Sequence, residues 1–137
     1  GLYMPSSRQL RAVREAIAHD ASAFERLFKT KEFSKCFKGG FSHDKKATRP
    51  PRGFDPTHPK IDWLKLQAFF VWRSYSRKEY SSPSFPALVA RDWKQILRLN
   101  TLLEQAIEGK RPATAVPLKS LTSRLEEVQA PRRVMDF

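Results

Sequence analysis

The sequence has one cysteine among 137 residues, Cys36. That excludes an intrachain disulfide framework and any Cys-rich zinc module. It has 5 glycines and none of the patterns that cradle phosphates or place nucleophiles: GxGxxG, GxxxxGK[ST] and GxSxG are all missing, as are HExxH and HxE with CxxC. The 3 histidines, His19, His43 and His58, do not have metal-ligand spacing. Acids are few, 14 against 26 bases, for a net charge of +12. No apolar run approaches the roughly 20 residues of a membrane-spanning helix, and the N-terminus has no signal-peptide core. These absences predict a soluble cytoplasmic protein with no membrane contact, no metal and no cofactor, and they leave its oligomeric state open.

What is there suffices for a folded core: 40% of the residues are hydrophobic and 12% aromatic. The charge is uneven. Residues 31–60 hold eight bases and three acids, while residues 61–90 hold four and two. The densest positive charge thus falls where periodic structure is poorest. Such a region attracts phosphate-bearing ligands, nucleic acid or anionic surfaces; the simpler reading is a lysine-rich, solvated face.

Three helical stretches open the chain. Leu10, Val13 and Ile17, with Ala12 and Ala16 beside them, mark one helix face. Ser6 and Gln9 before it form a capping-box pattern. A second short helix follows, capped by Asp20 or by Ser22 with Glu25, with Phe24, Leu27 and Phe28 inward. Phe33, Phe37 and Phe41 then recur every four residues, until Gly39-Gly40 breaks the run. Residues 42–60 carry four prolines and read as a long loop, with Phe54 as a candidate anchor to the core.

Pro59 and Ile61 to Leu66 predict a short helical turn. From Gln67 to Tyr75 the aromatics and valine predict a strand, apolar on both faces and therefore central. A short helical piece lies in residues 76–86. The strongest helix runs from Pro86 to Glu108, with Val89, Trp93, Ile96, Leu99, Leu103 and Ile107 as its buried stripe. Residues 110–137 read as a Pro-broken linker and a small amphipathic helix through Leu118, Leu121, Leu125 and Val128, able to dock a partner chain. The fold class this predicts is α+β, mostly helical with a small sheet, one clear strand being visible.

The side chains that could carry chemistry cluster in the loop. Lys45, Lys46, Arg49, Arg52 and Lys60 lie within sixteen residues and form the candidate anion-binding set. Arg73 joins them as the one charge in an apolar run: it must reach solvent, bind an anion or, the commoner outcome, pair with an acid. His58 and Asp55 are candidates for acid–base work, against the plainer reading that they shape the loop. Cys36 sits between Lys35 and Lys38, and neighbouring cations lower a thiol pKa, although a lone cysteine among aromatics is usually plain packing. Trp63, Trp72 and Trp93 could stack nucleic-acid bases, but the apolar surroundings of Trp72 and Trp93 predict the core.

The segment PRGFDPTHPKIDWLKLQAFFVWRSYS, Pro51 to Ser76, resembles the microbial family catalogued as domain of unknown function 2461. The resemblance rests on Pro51, Arg52, Gly53, Phe54, Asp55, His58 and Pro59, and on the opening GLYMPSSRQLRAVREAI; it covers about residues 1–109. Members of that family usually carry a preceding half with an RDxRFSxDKxPYK-type segment. The resemblance therefore implies that residues 1–109 form the second half of a larger α+β domain, with the first half on a longer protein or a separate chain. It implies an intracellular domain and no reaction.

Three function classes remain. The leading one is an intracellular domain that binds a phosphate-bearing ligand or nucleic acid through residues 43–60 and Arg73. The others are an enzyme whose site, with His58 and Asp55, is shared with that first half, and a structural protein-interaction domain.

Overall fold

The computed structural model describes residues 1–109. The predicted tail helix of residues 118–128 lies outside the described residues. Six helices follow one another: α1 (Ser7–His19), α2 (Ser22–Lys29), α3 (Lys31–Cys36), α4 (Ile61–Leu64), α5 (Arg77–Tyr80) and α6 (Phe85–Ile107). Helix accounts for 53% of the described residues.

The helix starts follow from local chemistry. Ser6 and Gln9 close a reciprocal capping box: the Ser6 hydroxyl accepts from Gln9 N and Gln9 Oε1 accepts from Ser6 N. Asp20 Oδ1 accepts from Ser22 N just ahead of α2. Thr30 caps α3, and a second capping box, Ser76 with Glu79, starts α5. Pro86 stands in the first turn of α6, where its missing N–H costs no intrahelical bond.

The core lies where α1, α2 and α3 meet the C-terminal half of α6. Val13, Ile17, Phe24, Leu27, Phe33, Phe37, Phe41, Leu64, Leu66, Phe69, Leu99 and Leu103 are buried there. Phe41 is its aromatic hub, within 5.6 Å of the rings of Phe24, Phe28, Trp63 and Phe69. The chain reaches that position through Gly39 and Gly40, both at positive φ. A Cβ on Gly40 would stand 2.7 Å from the Phe28 ring, so only glycine fits this turn.

The predicted strand is absent, and with it the α+β class: among the described residues there is no strand and no sheet, and the fold is helical. Gln67 to Tyr75 makes one isolated contact of the β kind, Leu2 against Phe69, and a second, Lys46 against Leu66, falls just before it. A ladder needs a partner whose backbone runs alongside for several residues, and the described chain offers one residue at a time. The aromatics here are strand-like in type, but they pack individually. Phe69 is fully buried under Phe41, whereas Trp72 is 60% exposed rather than buried in a sheet.

The stripe predicted for α6 is also rotated. Leu99 and Leu103 are buried as expected, but Val89 and Trp93 face solvent, Trp93 at 42% exposure. The inward row is Leu88, Asp92, Gln95, Leu99, Leu102 and Ala106, alternating four and three residues apart. Two of its members are polar, and Asp92 is only 2% exposed. No described helix is long and apolar enough to cross a membrane.

Candidate functional site

The loop of residues 42–60 is tied down along its length. At its start, Ser42 N donates to Phe70 O at 2.8 Å, Gln67 N to Lys45 O at 2.7 Å and Ala47 N to Lys65 O at 2.9 Å. At its return, Phe54 packs half-buried against the core, the anchoring expected of it. Asp55 Oδ1 accepts from both the backbone N and the hydroxyl of Thr57, which holds its carboxyl below the ordinary aspartate range. Lys60 N donates to His58 Nδ1, so the Nε2–H donates to Ala18 O, 2.9 Å away on α1. Both ring nitrogens of His58 are thus engaged in fastening the loop to α1, and Asp55 is engaged in shaping its turn.

The cations of the loop divide by their partners. Lys46 Nζ meets Asp62 Oδ1 at 2.8 Å, and that bond and charge lower the Asp62 pKa. Lys60 Nζ meets Glu25 Oε1 at 3.0 Å and lies 4.6 Å above the Trp63 ring. Lys45 Nζ stands 5.3 Å above the Tyr3 ring. Arg49 and Arg52 are exposed, and among the described residues neither has an ion pair or a side-chain hydrogen bond. Between residues 45 and 52 the surface therefore presents three cations that no carboxylate of the described residues neutralises.

Arg73 takes the pairing outcome. Its guanidinium meets Glu79 Oε2 at 2.7 Å and Asp92 Oδ2 at 3.3 Å, and stacks 4.6 Å from the Tyr75 ring. Tyr75 OH donates to the same Asp92 oxygen at 2.6 Å. Burial, with Asp92 beside it, pushes the Tyr75 hydroxyl up to about 12. The structure thus separates Arg73 from the loop cations and places it in an interior network that joins the 70–80 segment to α6. Asp92 carried no signal in the sequence reading, because Arg91 and Lys94 beside it make that turn look solvated; its place on the four-and-three row through Leu88 and Leu99 is the signal that finds it.

Cys36 belongs to the same interior. It is 3% exposed, and burial, then the Asp92 carboxylate, push its thiol up to about 11. Activation by Lys35 and Lys38 does not occur: both are exposed, while the sulfur faces the core. No cluster of three or more His, Cys, Asp or Glu side chains among the described residues is placed to hold a metal ion.

The family model described as "Conserved hypothetical protein (DUF2461)" matches residues 1–101. No curated protein and no solved structure matches this chain.

Proposed function

We propose, for a chain that belongs to the DUF2461 family of conserved hypothetical proteins, that the loop of residues 43–60 binds a phosphate-bearing polyanion. The observation that carries this reading is the pair Arg49 and Arg52, exposed and without a carboxylate partner among the described residues, on a loop fastened at both ends. Fastening lowers the conformational entropy that binding must overcome. The guanidinium forks suit paired phosphate oxygens. Lys45 adds a third free charge, and the ion pairs of Lys46 and Lys60 lie where a phosphate can exchange with the carboxylate. Arg73 stays with Glu79 and Asp92 and takes no part. His58 and Asp55 enter as the residues that hold the loop's shape.

The test is fluorescence anisotropy with a labelled 20-nucleotide oligonucleotide and, in competition, inorganic polyphosphate. The double reversal Arg49→Glu/Arg52→Glu is expected to weaken both by at least about tenfold at ~50 mM salt. It is expected to leave the melting temperature unchanged, since both side chains are exposed and neither has an ion pair or side-chain hydrogen bond among the described residues. Equal affinity of the reversed and parent proteins would remove the loop from the binding site.

A further inference from the structure

We propose that the polyanion is single-stranded nucleic acid, and that its bases stack on Tyr3 and Trp72 while its backbone meets Lys45, Arg49 and Arg52. This deepens the anion-binding reading above and rests on it.

Two large aromatics lie open on segments that meet the loop: Tyr3 carries Lys45 over its ring, and Trp72 stands two residues beyond Phe70, whose carbonyl accepts from Ser42 N. Tyr3 is 54% exposed and Trp72 60%. An aromatic ring left in water forgoes the burial that normally stabilises it, and an exposed aromatic with a cation over its ring is the composition of a base-stacking platform. The two rings are joined to the loop through Phe70. The Tyr3 ring meets the Phe70 ring edge-on, with centroids 5.1 Å apart. Phe70 O accepts from Ser42 N, the residue from which the loop leaves. Trp72 follows Phe70 by two residues. On the loop side, Lys45 Nζ already lies over the Tyr3 ring, so one cation and one stacking face form a single unit. Arg49 and Arg52 continue the positive charge within the next seven residues.

This arrangement fits a single strand better than a duplex. Stacking on a side chain requires the flat face of a base, and in a duplex those faces are covered by neighbouring pairs. A single strand offers every base face to an aromatic while its phosphates follow the cations, and such binding tolerates any base sequence. Trp63, by contrast, packs against Phe28 and Phe41 and is not available.

The experiment compares three probes on the full chain: a 20-nucleotide oligo-dT, a hairpin duplex with the same number of phosphates, and inorganic polyphosphate. Oligo-dT is expected to bind at least about tenfold more tightly than the other two and to quench tryptophan fluorescence. Trp72→Ala and Tyr3→Ala each weaken oligo-dT about tenfold and leave polyphosphate unchanged; Trp72→Phe and Tyr3→Phe restore most of the loss, which a damaged fold would not allow. If oligo-dT and polyphosphate bind alike and the alanine variants change nothing, base stacking is refuted while the anion site stands. Tighter binding of the hairpin refutes the single-strand assignment. If no probe binds at ~50 mM salt, the anion-binding reading falls as well.

Discussion

Cys36 shows how far a residue's environment departs from its sequence neighbours. Lys35 and Lys38 flank it, yet the thiol lies in the core, where burial and then the Asp92 carboxylate raise its pKa. With a thiol raised to about 11, the thiolate at pH 8 is scarce, and alkylation by iodoacetamide is expected to run roughly 100-fold or more below the rate of an ordinary exposed cysteine. The sign of the linkage follows. The protonated thiol's contribution to stability is fully present below the unfolded pKa of about 8.5 and is lost as pH rises through the folded value. Rapid labelling of the native protein at pH 8, with no increase on adding denaturant, would contradict this placement. His58 and Asp55 teach the complementary lesson. The sequence pattern marked both, and the structure gives both a hydrogen-bonding task in the loop, the plainer of the two readings weighed for them.

Elements that depend on local chemistry were legible in advance, and those that depend on distant partners were not. The capping box of α1 is written in Ser6 and Gln9, the end of α6 in Gly109 at positive φ, and the loop in its prolines. The expected strand failed because strand propensity records only a side chain's fit to a pleated surface, and among the described residues no backbone runs alongside Gln67 to Tyr75 for more than a residue at a time. The stripe of α6 was misplaced by one residue in its first half because an apolar count favours Val89 and Trp93. What turns the helix is the polar demand of Arg73 and Tyr75, both of which converge on Asp92 Oδ2. Removing that carboxylate leaves Arg73, which is largely buried, with Glu79 alone and leaves the Tyr75 hydroxyl without its acceptor. Asp92→Ala is therefore expected to cost about 2–3 kcal/mol in urea unfolding, and Asp92→Asn less, because an amide oxygen still accepts from Tyr75. A loss below about 0.5 kcal/mol for the alanine variant would show that the network does not bind the 70–80 segment to α6.

At the scale of the whole molecule, the charge imbalance of +12 becomes a located feature. Among the described residues few bases have a carboxylate partner: Arg11 has Glu15, Lys46 has Asp62, Lys60 has Glu25, Arg73 has Glu79 and Asp92, and Arg91 lies 4.0 Å from Asp92. Between Lys45 and Arg52 three cations have no carboxylate partner among the described residues, and Lys45 lies over the exposed Tyr3 ring, a neighbour that sequence reasoning had no means of placing there. Tyr3 comes from the start of the chain and Lys45 from the loop, and the pairing of Leu2 with Phe69 and of the loop with residues 65–70 brings these two together. The central claim is that this face binds polyanions by ionic contact. The most direct measurement is the slope of log K against log salt for the 20-nucleotide oligonucleotide between ~50 and ~200 mM salt. Contacts from Lys45, Arg49 and Arg52 predict a slope of about −2, and the Arg49→Glu/Arg52→Glu protein, which keeps Lys45 alone, a slope of about −0.7 or shallower. A parent slope near zero, or one that the double reversal leaves unchanged, would contradict the account.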